Sequence, residues 1–411
     1  MTDNFTLSNG LRVFGEHLPD MRSATVGIWT KTGSAAESMS ENGMSHFLEH
    51  MFFKGTSSRD YKQIAQDIDN IGAQANAFTS KEVTCYYIQS IDEKIGQALG
   101  ILLDMFCDSV FPEKEIEKEK GVILEEIAMS QDAPDDLLHD KLAETFFTGT
   151  ELSKTILGPA ENIRRFTRQD VLDYKEKHYF AENIVVAIAG NYDKEALRAQ
   201  LEAKLGHIES GRAQQLFGPL AGWEPEKREL TLSKDIEQVH LGLGFPMYGF
   251  LDDRKYAGSI LSSILGGGMS SRLFQKVREE LGAAYSVYCF PAIYCSGGMM
   301  VVYAGTSKDK LPRVLEGVHS EIEKLKKDGI TKEELENTKV QLCANYVLGR
   351  ETTSAKMNAL GKSALLLGRV QSEEELLGQV RSINMGQIEQ AISDIFDLEK
   401  MSKVIVQPQK A

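Results

Sequence analysis

Two distant stretches of the chain carry one pattern. Pro112 to Met129, PEKEIEKEKGVILEEIAM, lies over Thr331 to Leu348, TKEELENTKVQLCANYVL, without a gap at an offset of 219. In that alignment Ile116 meets Leu335, Ile123 meets Leu342 and Glu126 meets Asn345. Two further pairings keep the same order: Ile71-Gly72-Ala73 with Leu281-Gly282-Ala283, and Phe166 to Val171 with Ile383 to Ile388. Any two amphipathic helices align passably, but three ordered pairings at offsets of 210 to 219 indicate duplication. A duplicated chain folds as two similar domains, which suits 411 residues better than one large core. A stretch rich in Gly, Pro and polar residues, Glu209 to Lys227, divides the copies. The expected domains are therefore 1–208 and 228–411, with 209–227 as linker.

Each half alternates short strand-like runs with longer helical ones. The runs are Thr25–Thr30, Thr84–Ser90 and Ile184–Ala189, then Gln238–Gly244, Gly298–Ala304 and Lys403–Val406. That mixture points to an α+β (mixed α/β) fold. A hydrophobic content of 42% with 26% charged residues is that of a soluble globular chain. Sixty acidic against 46 basic residues give a net charge of −14, which disfavours nucleic acid and anionic membrane and suits basic ligands. No apolar stretch approaches the ~20 residues of a membrane span, and the start, MTDNFTLSNG, resembles neither a signal nor a transit peptide. The five cysteines lack a CxxC pair and suit reduced, buried thiols, so a cytoplasmic, bacterial location is expected.

Residues 46–50 read HFLEH, inside a stretch with helical spacing from Met44 to Lys54. Gly43 precedes it, Phe47, Leu48, Met51 and Phe52 fill it, and Gly55 is placed to end it. His46 and His50, at i and i+4, project from one face and suit two ligands of one tetrahedral Zn2+. Glu49 leans to the same side, within reach of a water at the metal; the order HxxEH is the inverzincin one. Given 8 His and 60 acidic residues in 411, such a pentapeptide arises by chance about 0.02 times per chain. A catalytic zinc needs a third protein ligand. The acidic helix expected from Glu113 to Ser130 is the best supplier, with Glu119 and Glu126 two turns apart beside Ile116, Ile123 and Ile127. Composition and spacing leave Glu125 and Glu126 equally eligible.

These strings resemble the insulinase/pitrilysin superfamily of zinc metallopeptidases, in its mitochondrial processing-peptidase-like branch. The likeness runs over essentially the whole chain, through LSNGLRV at 7–13, HFLEHMFFKGT at 46–56, ANAFTSKE at 75–82, EKEKGVILEEI at 117–127 and LGGGMSSRLFQKVREELGAAYSV at 265–287. It implies one Zn2+ per chain on His46, His50 and Glu126, with Glu49 as the general base toward water and proton donor to the leaving amine. It also implies that Glu119 assists by orienting His46 or through its charge. Arg278 and Tyr285 match the family's pair that contacts substrate near the scissile bond and helps stabilise an oxyanion. Asn76, Ala77 and Phe78, followed by Thr79, match an edge strand onto which an extended substrate adds. The implied architecture is two homologous domains, each a mostly antiparallel sheet with flanking helices, facing across a cavity, the second lacking metal ligands. The implied activity is zinc metalloendopeptidase action on extended or presequence-like basic polypeptides, by a homodimer that binds neither nucleic acid nor membrane.

Two rival readings remain. One is a non-catalytic binding or assembly subunit like the superfamily's respiratory-complex core proteins, which the intact HFLEH and Glu126 disfavour. The other is a metal-dependent hydrolase of a small amide, which the peptide-strand segment and Arg278/Tyr285 disfavour. Gly266-Gly267-Gly268 lacks the Lys-Ser/Thr ending of a phosphate loop and suits a close-packed or flexible turn.

Overall fold

The structure is a computed structural model that describes residues 2–211, 217, 218, 220 and 222–409. One sheet holds β1 (Thr2–Thr6), β2 (Arg12–His17), β3 (Ser23–Thr30), β4 (Gln74–Thr79), β5 (Thr84–Ile91) and β6 (Ile184–Gly190). The other holds β7 (Arg228–Lys234), β8 (Val239–Met247), β9 (Ser286–Ile293), β10 (Gly298–Thr306) and β11 (Ser402–Pro408). The first eight helices are α1 (Met44–Met51), α2 (Tyr61–Asn70), α3 (Ile95–Asp108), α4 (Glu113–Asp132), α5 (Pro134–Phe146), α6 (Ala160–Arg165), α7 (Arg168–His178) and α8 (Lys194–Leu205). Then follow α9 (Lys255–Gly266), α10 (Leu311–Asp328), α11 (Lys332–Leu348), α12 (Thr353–Leu367), α13 (Glu373–Ser382) and α14 (Met385–Ile395).

The strand orders are β1-β2-β6-β3-β5-β4 and β7-β11-β8-β10-β9. Without β1 the two sheets share one topology. In each, the first strand runs parallel to the last (β2 with β6, β7 with β11) and every other pairing is antiparallel. The duplication read from sequence is thus a duplication of fold. Its third pairing superposes helix starts: Thr167 caps α7 in a box with Asp170, and Asn384 caps α14 in a box with Gln387.

The chain divides into two compact units: Met1–Ile127, Lys154–Leu216 and Val347–Ser372 in the first; Ala128–Ser153, Phe217–Tyr346 and Glu373–Ala411 in the second. This differs from the contiguous domains 1–208 and 228–411 expected from sequence. Each half lends a helix to the other half's sheet, so α12 belongs to the first unit and α5 to the second. Within the expected linker, residues 212–216, 219 and 221 lie outside the described residues.

Strand alternation explains how a sheet takes a borrowed helix. On β3, Ala24, Val26 and Ile28 face the core that also holds Phe47, Leu48 and Leu102. The alternate residues Thr25, Gly27 and Trp29 meet α12. Thr25 Oγ1 lies 2.9 Å from Thr353 Oγ1, and Trp29 Nε1 donates to Met357 Sδ at 3.3 Å. A Cβ on Gly27 would sit 2.5 Å from Met357 Sδ, and one on Gly361 would sit 2.2 Å from Trp29 Nε1. In the second sheet Leu241, Leu243 and Phe245 of β8 point into the core, while Gly242 and Gly244 leave room for Leu138 and Leu142 of α5.

Candidate metal centre

Helix α1 is short, eight residues, and its packing dictates which face is free. Phe47, Leu48 and Met51 are fully buried, as is Phe52 just beyond, so the rows between them carry His46, Glu49 and His50. Gly43 opens the helix at φ 100°, a conformation that an L side chain rarely adopts. The helix stops at Met51, three residues before the expected Lys54. Phe53 N bonds His50 O and Lys54 N bonds Met51 O, a tighter i,i+3 turn that runs into Gly55 at φ 134°.

The acidic helix α4 presents Glu125 and Glu126 differently. Ile116, Ile123 and Ile127 anchor it, Glu125 is exposed, and Glu126 comes to the two histidines. Glu126 Oε2 lies 3.7 Å from His46 Nε2 and 3.7 Å from His50 Nε2. One donor atom from each of the three residues falls within 4.8 Å of the others, the one such group of His, Cys, Asp and Glu among the described residues. Around a tetrahedral zinc with its usual bond lengths, neighbouring donors stand roughly 3.3 Å apart. The two Glu126–histidine separations stand within a few tenths of an ångström of that spacing, so the donor set suits such an ion, and Glu126 is half exposed.

The surrounding groups fix protonation. In the metal-free chain, burial together with the neighbouring His50 pulls His46 down to about 4, so its ring is neutral at pH 7. Burial also lowers His50, but its bond to Glu119 and the charges of Glu126, Glu119 and Glu49 outweigh that and leave it raised. Glu119 is 4% exposed, yet bonds from His50 and Lys54 overcome its burial and hold it below the usual carboxylate range. Glu119 Oε1 lies 2.8 Å from His50 Nδ1 and Oε2 lies 2.6 Å from Lys54 Nζ. Of the two expectations for Glu119, the contact to His46 is replaced by one to His50 Nδ1, while its charge does bear on His46. Helix α4 runs against α1, so two turns before Glu126 it has passed beyond the histidines toward Lys54. Burial raises Glu49, moderated by the hydrogen bond that Thr79 Oγ1 donates to it and by His50.

The expected peptide-strand residues lie on β4, which pairs with β5 on one side only. Ala75 and Ala77 pack toward the core, Phe78 stacks edge-to-face on Trp29 with centroids 5.4 Å apart, and Asn76 Oδ1 accepts from Ala77 N at 2.8 Å. In the second unit Arg278 sits on a π-helical turn, Phe274–Glu280, 5.1 Å from the ring of Tyr285. Tyr285 is 77% exposed and precedes β9 by one residue. Gly266 and Gly267 are close-packed, against Cys289 and Ser263.

Comparison with known proteins places this geometry in a family. The model described as insulinase (peptidase family M16) matches residues 12–160, and that described as the peptidase M16 inactive domain matches 165–342. An uncharacterized zinc protease of Bacillus subtilis, YmxG, is 41% identical over 397 residues, 96% of each chain. The chain belongs to peptidase family M16. Another uncharacterized zinc protease, from Rickettsia bellii, is 37% identical over 412 residues, 98% of each chain. Among solved structures, a protease from Helicobacter pylori shares the fold with TM-score 0.91 at 21% identity, over 99% of each chain. A peptidase M16 inactive domain from Pseudomonas fluorescens does so with TM-score 0.91 at 20% identity, over 100% of this chain and 98% of that one.

In this M16 chain the whole cluster, His46, Glu49, His50, Glu119 and Glu126, falls inside the segment matched by the insulinase model. Arg278 and Tyr285 fall inside the segment matched by the inactive-domain model. Sequence reasoning missed Lys54 and Thr79. Lys54 stands one turn beyond His50, on the row His46–His50–Lys54, and that spacing was a usable signal. Thr79 offered none, since its approach to Glu49 depends on how β4 crosses α1.

Proposed function

We propose that this chain is a zinc-dependent metalloendopeptidase holding one Zn2+ through His46, His50 and Glu126. The observation that carries this is the convergence of those three donors beside a partly buried Glu49 that Thr79 holds by a hydrogen bond. When bound, zinc supplies Lewis acidity, polarising a carbonyl and acidifying water. Glu49, whose pKa burial raises above the usual carboxylate range, accepts a proton from the attacking water as its oxygen bonds to the peptide carbon. The same carboxyl then gives that proton to the departing amine nitrogen as the C–N bond breaks. Thr79 orients Glu49 by its hydroxyl, and Glu119, paired with Lys54, orients His50. Arg278 and Tyr285 serve as the oxyanion-side donors, and the open edge of β4 at Asn76, Ala77 and Phe78 receives the substrate backbone. The charge of −14 favours basic polypeptides, and five free thiols suit a reducing cytoplasm. Because the metal residues and Arg278/Tyr285 lie on one chain, a homodimer of identical subunits is the proposed assembly.

The test compares zinc content and cleavage of an unstructured basic peptide for the wild type and Glu49→Gln. The variant should bind zinc as the wild type does and lose roughly 10²–10⁴ in turnover. A wild type that holds no metal and cuts no peptide makes the chain a binding subunit instead. A Glu49→Gln enzyme with wild-type turnover removes the base assignment alone.

A further inference from the structure

The two histidines of α1 are held by different means. His50 is fixed through its ring, by the bond from Nδ1 to Glu119. The corresponding Nδ1 of His46 is buried and has no hydrogen-bond partner among the described residues. A ring without an outer partner takes its position from the backbone beneath it. That backbone is the first turn of α1, where Gly43 at the N-cap has no side chain to satisfy the free N–H groups.

A carboxylate from an earlier turn does so. Glu37 is 2% exposed, and both its oxygens are used: Oε2 accepts from Gly43 N at 2.8 Å and from Asn42 Nδ2 at 2.9 Å, and Oε1 accepts from Ser45 N at 2.7 Å. Burial raises its pKa, and the bonds from Asn42, Ser45 and Gly43 pull against that rise. Its negative charge lies at the positive end of the helix. Its own segment is anchored in turn: Lys154 Nζ donates to Glu37 O, and Asn42 Nδ2 reaches Thr155 O at 2.8 Å. Ser45, the residue before His46, is held a second time by its hydroxyl, 2.7 Å from Tyr174 Oη, which itself lies 2.9 Å from Thr32 Oγ1.

We propose that Glu37 is a positioning residue for the metal: its carboxylate fixes the first turn of α1 and thereby sets His46. Ser45, tethered to Tyr174, is the second point of that clamp. The assignment rests on the zinc reading of His46, His50 and Glu126, and its test separates the two. Glu37→Gln keeps the shape but puts an amide N–H against a backbone N–H. Zinc affinity is read by chelator competition, and ligand geometry by the visible spectrum of the cobalt-substituted protein, beside far-UV circular dichroism for the fold. The expected result is a folded Glu37→Gln with zinc bound roughly 10–100-fold more weakly and an altered cobalt spectrum. Glu37→Asp, which keeps the charge, should recover part of the affinity. Wild-type affinity and an unchanged cobalt spectrum in a Glu37→Gln protein that merely melts lower would overturn the proposal. Should Glu37→Gln fail to fold, Tyr174→Phe removes the Ser45 tether together with the contact to Thr32 and should still weaken zinc severalfold; no change there overturns the proposal equally. A wild-type chain that binds neither zinc nor cobalt removes the metal reading itself, and the role of Glu37 with it.

Discussion

Replacing Glu119 by Gln is the sharpest perturbation of the centre, because it changes charge without changing volume. The carboxylate accepts from His50 Nδ1 at 2.8 Å and from Lys54 Nζ at 2.6 Å, so the amide can accept from one of them and must turn a donor toward the other. Outer-sphere partners of this kind are worth about 10–100-fold in metal affinity, that is about 1.4–2.8 kcal/mol. Glu119 is buried, but Lys54 is partly exposed and can swing into water once unpaired. The fold should therefore lose only about 1 kcal/mol, well below the 3–5 kcal/mol of a fully buried broken pair. Chelator competition on Glu119→Gln, Lys54→Met and the double variant reads both terms as a cycle. The expected outcome is weaker zinc in Glu119→Gln and non-additivity in the double variant, since Lys54 acts only through Glu119. Zinc affinity within threefold of the wild type in Glu119→Gln would refute the claim that this bond orients His50.

His178 is buried against Tyr174 with neither ring nitrogen bonded, and burial, with some help from Lys177, lowers it to about 4. Its folded-state pKa lies below the unfolded ~6.5, so the stability it contributes is present above pH 6.5 and is lost as pH falls toward 4, by about 3 kcal/mol in all. In chelator, where His46 titrates equally in both proteins, His178→Phe should show a flatter melting temperature between those pH values; parallel curves would sink the assignment. Two glycine-to-alanine changes should have opposite signs. Gly361→Ala drives a Cβ to 2.2 Å from the buried Trp29 indole and should destabilise by about 1–3 kcal/mol despite the better helix propensity. Gly378→Ala, exposed in α13 with nothing within 4 Å, should stabilise by about 0.5–1 kcal/mol; denaturant midpoints decide both.

The central strands were legible because both their faces are covered. Six runs read from sequence fall within β3, β5, β6, β8, β10 and β11, apart from Gln238 just before β8. The outermost strands β1 and β7, alternating and polar, gave no such run. HFLEH was legible because i and i+4 on a helix fix two side chains without any tertiary knowledge. Glu126 over Glu125, and Glu119 for His50, were not, since they depend on the direction in which α4 crosses α1. Glu37 was hidden for a similar reason: in SAAESMSEN it resembles Glu41, and only burial separates them. The borrowed helices were illegible altogether, because nothing in the sequences of α5 and α12, whose apolar residues are not confined to one sharp face, names the sheet each covers.

The exchange of α5 and α12 has the form of a domain swap between two copies of one unit. Neither half of the sequence holds a complete unit: 1–208 lacks the helix that covers Trp29, and 228–411 lacks the one that covers Gly242 and Gly244. An ancestral half-length chain with this topology would have folded only as a pair, each copy lending a helix to its twin. On that account duplication joined two obligate partners end to end, leaving Glu126 in one copy and Asn345 at the matching position of its twin.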